Sequence, residues 1–223
     1  MGIRFRGSCM KTRKTYWPGD EHFGVYAIGE YGRDAWVCAL EYLTHRRTYV
    51  DVGAHIGHYV YHALGSFKEV VAFEPRAKNY GCLTKNVEER KGKLKRSAAV
   101  RLFKAAVGDV EKHQAGVLWI DPSEGKNSGA WEFVMDEDSP ERLDILTIDA
   151  LKLEHCDLIK IDTQGWEGRV LQGARETIVR CKPVLIVEVV NNDNVNSGLI
   201  DSIKKMGYTG RAMLTKNMVF CAR

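Results

Sequence analysis

The segment Tyr49-Val-Asp-Val-Gly-Ala-His-Ile-Gly57 constrains the fold more than any other. An apolar run of strand type, Tyr49, Val50 and Val52, stops at Gly53. Helical spacing begins near Ile56 and runs to about Phe67. A second β-branched run, Glu69-Val-Val-Ala-Phe-Glu74, follows and stops at Pro75. Strand, glycine turn, helix and strand make a βαβ unit, which demands two parallel strands and a right-handed crossover. Gly53 and Gly57 lack the Cβ that would keep backbone away from a ligand. Glu74, at the tip of the second strand, can accept two hydrogen bonds from a ribose diol. The unit therefore reads as a nucleoside-binding turn.

The rest of the chain extends this unit. Apolar spacing predicts a helix over Tyr31–Leu43 before the first strand. After it come a helix over Ala77–Lys91 and a strand over Val100–Val107. Residues 114–148 break the rhythm with three strand-like runs, 117–120, 131–134 and 143–148, joined by polar turns. The alternation then returns, with a strand at 157–162, a helix at 167–181, a strand at 184–189 and a helix at 198–206. Runs at 211–214 and 218–221 close the chain as a hairpin. The expectation is an α/β fold: a doubly wound, seven-stranded, mostly parallel Rossmann-like sheet with a C-terminal antiparallel hairpin. Two parts are expected, an N-terminal arm and helix over 1–45 and a cofactor-binding domain over 46–223. Ligands in such sheets lie beyond the carboxyl ends of the strands. That puts Gly53, Glu74, Gly108, Asp162 and Glu188 on one rim.

Composition narrows the setting. Hydrophobic residues make up 44% of the 223 and charged residues 28%, an ordinary balance for a packed soluble domain. No apolar run approaches a membrane span, so no membrane partner is expected. The opening Met-Gly-Ile-Arg-Phe-Arg has no apolar signal-peptide core. A cytoplasmic location and six reduced cysteines are therefore expected. The net charge of +4 is too small to indicate nucleic acid by itself. Lys85–Lys104 does hold eight basic and two acidic residues, and the first twenty residues are basic. The arm suggests a flap over an anionic substrate, and the cluster keeps a phosphate-facing patch open.

Two nucleoside cofactors compete for the turn. A dinucleotide wants Gly-x-Gly-x-x-Gly, whose second glycine lets helix amides reach the pyrophosphate. Here that position is His55. S-adenosylmethionine carries no phosphate, so Asp51-x-Gly53-x-x-x-Gly57 with Glu74 suffices.

At this point several blocks together resemble one family. They are Val50-Asp-Val-Gly-Ala-His-Ile-Gly57, Val71-Ala-Phe-Glu-Pro75, Lys104-Ala-Ala-Val-Gly-Asp109, Leu143-Asp-Ile-Leu-Thr-Ile-Asp149 and Ile159-Lys-Ile-Asp-Thr-Gln-Gly-Trp-Glu167. In this order and spacing they are similar to the FkbM family, class I S-adenosylmethionine-dependent methyltransferases acting mostly on oxygen. The resemblance spans about residues 48–190. It implies that Asp51, Gly53, Ala54 and Gly57 hold the methionine moiety and that Glu74, followed by Pro75, binds the ribose. It implies that Ala106, Val107 and Asp109 flank the adenine and that Asp162 sits near the methyl group. Two positions depart from the family pattern: His55 stands where Asn is usual, and Gln164 where Glu is usual.

A hydroxyl acceptor must lose its proton as it attacks. The candidates on the rim are Asp162 first, then His55 and Glu188, with Lys160 two residues before Asp162 on the same side of the strand. His55, at the pocket mouth, is also expected to touch the cofactor. His55, His58 and His62 share a helix face, but nothing near them completes a metal set, so no metal is expected. No Asn/Asp-Pro-Pro-aromatic block follows the fourth strand and no Pro-Cys pair occurs. Exocyclic amines and pyrimidine carbon are therefore disfavoured as acceptors. The expectation is an O-methyltransferase acting on a small molecule or glycan. The alternatives are a nucleic-acid or nucleotide 2′-O-methyltransferase and a non-catalytic cofactor-binding protein.

Overall fold

The computed structural model describes residues 10–11, 15–19, 28, 31–122, 124, 126–189, 193–214 and 216–222. Most of the basic arm, with the flap expected from it, lies outside them. What is described there is a short antiparallel pair, β1 (Met10–Lys11) and β2 (Tyr16–Trp17). Asn86 fastens β2 to the body: Tyr16 N donates to its Oδ1 at 2.7 Å, and its Nδ2 donates to Tyr16 O at 2.8 Å.

The βαβ unit is β3 (Thr48–Val52), α2 (His58–Ala63) and β4 (Glu69–Phe73). All five residues of β3 are buried, as a strand covered on both faces requires. Around it stand α1 (Arg33–Glu41), α3 (Ala77–Lys91) and β5 (Ala99–Phe103), then β6 (Ala106–Val107), β7 (Lys112–Ile120), β8 (Glu132–Met135) and β9 (Arg142–Leu146). The chain continues through β10 (Leu158–Ile161), α4 (Glu167–Gly173), α5 (Arg175–Cys181), β11 (Val184–Glu188), α6 (Asp193–Lys205), β12 (Tyr208–Leu214) and β13 (Asn217–Ala222).

Seven strands form one sheet in the order β12-β13-β11-β10-β3-β4-β5. β11, β10, β3, β4 and β5 pair in parallel, and β13 runs antiparallel between β11 and β12. The chain leaves β3 toward β4 on one side and returns to β10 on the other. The cleft between β3 and β10 is thus the topological switch point, where such sheets bind ligands. Alternation along the strands feeds two cores. Tyr49, Leu158 and Ile186 face Trp36, Tyr59, Val60 and Leu83. Val50, Ile159 and Val187 face Val170, Ile178 and Ile203. Through Trp36, edge-on to Tyr49 at 5.3 Å, α1 is part of the first core.

Three expectations need correcting. The strand over 100–107 is two: β5 ends at Phe103, and β6 leaves to pair with β9. Together β6-β9-β7-β8 make a separate four-stranded sheet around Val117, Phe133, Leu143 and Ile145. Gly108 therefore does not end a strand of the main sheet. The helix over 167–181 breaks at Ala174, because Asp149 accepts from the amides of Glu176 at 3.0 Å and Thr177 at 2.8 Å and starts a new helix. Not every cysteine is a reduced thiol. Cys38, Cys156, Cys181 and Cys221 are free, but Cys82 is disulfide-bonded, its partner lying outside the described residues. Among the described residues no helix is long and apolar enough to cross a membrane.

Candidate functional site

A cavity of ≈ 350 Å³ opens at the carboxyl ends of β3, β4 and β10. Its floor is the turn after β3. Gly53 has φ 75°, and a Cβ there would overlap the backbone carbonyl of Asp162, so the loop presses on the end of β10 in a way only glycine permits. The next residues turn back over the end of β4: Gly53 N and Ala54 N both donate to Phe73 O, at 3.0 and 2.9 Å. His55 then takes the left-handed conformation, φ 53°, rare for a residue with a side chain. This aims its amide at Glu74 Oε2, 2.8 Å away.

Glu74 is buried below this loop. Its Oε1 accepts from Arg76 N at 3.0 Å and from Asn79 Nδ2 at 3.4 Å. Burial still wins over these donors and pushes its pKa up to about 7. Beyond Glu74 the lining is apolar, with Phe73, Pro75, Ala106, Val107, Phe133 and Trp166. The insertion closes over this end. Ser128 Oγ lies 2.6 Å from His55 Nε2, Asn79 Nδ2 donates to Ser128 O at 3.0 Å, and the Arg76 guanidinium sits 3.6 Å from the centre of the Trp131 ring.

The opposite end is acidic. Lys160 is buried, with Nζ 3.2 Å from Asp162 Oδ2 and 3.6 Å from Asp51 Oδ1, and it donates to Gly53 O at 3.2 Å. Burial would lower its pKa, but Asp162 and Asp51 outweigh that and hold the ammonium firmly charged. Asp51 is fully buried beneath the loop, and its pKa rises by burial against the pull of Lys160. For Asp162 the balance reverses: burial raises its pKa, but the lysine and the hydrogen bonds to Glu188 and Gln164 hold it below the usual range. Glu188, on the neighbouring strand, is pushed up to about 9 by burial and by the Asp162 charge. Gln164, left-handed at φ 56°, donates from Nε2 to Asp162 Oδ1 at 3.1 Å and to Glu188 Oε2 at 2.6 Å. Glu167 fixes the turn that carries Gln164, accepting from Thr163 N at 3.0 Å and Gly165 N at 3.1 Å.

Ten of the thirteen candidate residues thus line one cavity: Gly53, Ala54, His55, Glu74, Pro75, Ala106, Val107, Lys160, Asp162 and Glu188. Three do not. Asp51 lies one layer below, against Lys160. Gly57 caps α2 at φ 96°, where a Cβ would crowd Leu83, so its glycine serves helix packing. Asp109 pairs with Arg169 at 3.4 Å. The histidines engage rings: His58 stacks on His55 at 6.3 Å and His62 on Trp36 at 5.8 Å. Burial, then the neighbouring His55, push His58 down to about 3. Among the described residues no group of three His, Cys, Asp or Glu side chains could hold a metal. None of the eight basic residues of 85–104 lines the cavity.

Sequence reasoning missed the walls. Trp119, Trp131 and Phe133 come from the insertion, Tyr31 from before α1, and Lys216 from the turn between β12 and β13. The alternation of aromatic and polar residues in Trp131-Glu-Phe-Val134 was the available signal, since it marks a strand with one aromatic face.

Sheet order, switch-point cavity and acidic loop ends together define a class I methyltransferase fold. The description "Methyltransferase FkbM domain" matches residues 51–209, and the chain belongs to this FkbM methyltransferase family. The structure is similar to the crystal structure of methyltransferase FkbM from Methylobacillus flagellatus KT, with TM-score 0.54 and 20% identity. That match covers 79% of this chain and 43% of the other, so the chain spans less than half the length of that relative. It is also similar to precorrin-6y C5,15-methyltransferase from Geobacter metallireducens GS-15, with TM-score 0.50 and 13% identity over 89% of this chain and 93% of that one. At these identities the likeness is one of fold. No curated protein matches the sequence.

Proposed function

We propose that the chain binds S-adenosylmethionine in this cavity and methylates a hydroxyl oxygen of a small-molecule or sugar acceptor. The observation that carries this reading is the pairing of two unlike ends in one cavity. One end offers a carboxylate, Glu74, beside an apolar lining. At the other, Asp162 and Glu188 line the cavity with Lys160, and Asp51 stands behind the lysine. A ribose diol with an adenine ring suits the first, and a positively charged sulfur suits the second.

In this reading Gly53 and Ala54, held from below by Asp51 and followed by the Gly57 helix start, bind the methionine moiety. Glu74 accepts from the ribose hydroxyls through lone pairs its backbone donors leave open. Pro75, Ala106 and Val107 wall the adenine, and the Asp109–Arg169 pair steadies the turn behind them. His55 turns its amide to Glu74 and its ring to the insertion. When bound, the cofactor supplies an electrophilic methyl group on a cationic sulfur. The protein's part is to orient the acceptor and receive its proton. Asp162 and Glu188 stand where that proton would go, with Lys160 setting their charge. We take residues 46–223 as the cofactor-binding unit. The residues before it help wall the acceptor side, a view supported by Tyr31 at the cavity edge. The basic run 90–96 leads into β5 at the amino ends of the strands, far around the sheet from this rim, which favours a small acceptor over nucleic acid.

Calorimetry with S-adenosylmethionine tests the binding half: no heat or saturation at about 1 mM sinks the reading. For the chemical half, methyl transfer from labelled cofactor to a panel of sugars and hydroxylated small molecules is measured. Asp162→Asn should leave cofactor affinity within a few-fold and reduce transfer by ~10²-fold or more. Unchanged turnover clears Asp162 of a part in proton transfer.

A further inference from the structure

Three buried acids stand at the reacting end beside one buried lysine. Lys160 is already engaged by Asp162 at 3.2 Å, Asp51 at 3.6 Å and the carbonyl of Gly53 at 3.2 Å. Glu188, only 4% exposed, has no cation within ion-pair distance among the described residues. Its neighbours can be named element by element. Asp162 and Lys160 face it from β10, with Asp51 of β3 behind the lysine. Asn217, its register partner, lies across from it on β13. Lys216 acts on it from the exposed turn before β13, the Tyr59 ring of α2 lies 5.1 Å from Lys160 Nζ, and His58, also of α2, is neutral. The Gln164 amide holds the Asp162 and Glu188 carboxyls side by side, one hydrogen toward each. Two carboxylates this close in a buried site do not both ionise, so the pair retains one proton. Ionising the second carboxyl of the pair needs a further positive charge beside it.

We propose that Glu188 is the proton acceptor of the reaction and that cofactor binding arms it. In the free protein Glu188 carries the proton of the pair, and the cationic sulfur of S-adenosylmethionine displaces that proton to solvent. The inference rests on the reading that the cavity binds this cofactor. The proton balance closes. On binding, the Glu188 O–H breaks and its proton leaves for bulk water. On transfer, the acceptor oxygen forms the new O–CH3 bond, the S–CH3 bond breaks with its electron pair going to sulfur, and the acceptor's proton passes to Glu188. The thioether product is neutral, so Glu188 keeps the proton when the product leaves. One proton is released per turnover, at binding rather than at chemistry. The raised affinity of Glu188 for its proton, from burial and from the Asp162 charge, agrees with this arrangement.

The test is proton inventory by calorimetry on the full chain. Binding enthalpies are measured at about pH 7.5 in buffers of different ionisation enthalpy, which report protons exchanged on binding. S-adenosylmethionine and S-adenosylhomocysteine are compared, since they differ in the sulfur charge and share the titrating amino group. The expected result is about one more proton released with S-adenosylmethionine. In Glu188→Gln, checked for folding by its melting curve, that difference should vanish. Equal release with both ligands in the unaltered protein overturns the proposal and leaves the cofactor reading standing. So does a one-proton difference that survives in a folded Glu188→Gln protein, because another group is then the source. No binding of either ligand overturns the cofactor reading and this proposal with it.

Discussion

Glu74 shows how a carboxyl is kept buried at a cost to stability. Its carboxyl is removed from water, and three N–H donors only partly replace that solvation. Its pKa therefore rises from 4.5 to about 7. Because the folded value lies above the unfolded one, the protonated folded form is favoured. The resulting stabilisation is full below pH 4.5 and is lost as pH rises through about 7. A shift of that size corresponds to about 3 kcal/mol. Glu74→Gln should remove this dependence, and denaturant unfolding measured across that window reads it directly. If the variant and the unaltered protein lose stability in parallel across the window, Glu74 is not the group that titrates. Neither the burial nor the raised pKa can be read from a Glu at the end of a strand. The sequence pattern locates the residue, and only its packing under the His55 loop sets its charge.

At the level of elements, the insertion is what makes this pocket particular. Its turn is tied to the loop after β3 through His55 and Ser128 and to α3 through Asn79. The first of these tethers follows from the residue at position 55. A left-handed turn there aims the amide at Glu74, and the ring, longer than an Asn side chain, reaches the insertion. Removing a hydrogen bond of this kind costs about 0.5–1.5 kcal/mol. Ser128→Ala should therefore lower the melting temperature of the free protein by about 1–6 °C, since this bond is present without ligand, and should also weaken cofactor binding. Calorimetric affinities and melting curves check the two halves, and unchanged affinity shows that the turn does not close on the ligand. Local periodicity made β3, β4, α3 and β11 legible, since each is specified by its own residues. The break of α4 from α5 was not legible, because the capping carboxylate of Asp149 comes from far back in the chain. Nor was the departure of β6 from the main sheet. A run of strand-type residues reveals that it is a strand, and its pairing partner is decided elsewhere.

For the whole molecule, the sheet order matters because it gathers distant stretches of chain at one point. β3 and β10 are neighbours although more than a hundred residues separate Asp51 from its register partner Lys160. A ligand seated there touches the loop after β3, the ends of β4 and β10, and the insertion at once. Its binding energy should therefore be distributed across the fold. On the proposed binding, S-adenosylmethionine at about 100 times its dissociation constant should add about 2.7 kcal/mol to the folded state. For a domain of this size that corresponds to a rise in melting temperature of about 5–10 °C. Amide hydrogen exchange should slow together in three segments, 53–57, 105–107 and 127–133, which are remote in sequence and meet at the cavity. Protection confined to 53–57 would mean that the ligand meets the glycine loop alone. The insertion would then be a fixed ornament of the sheet, with no part in enclosing the cofactor.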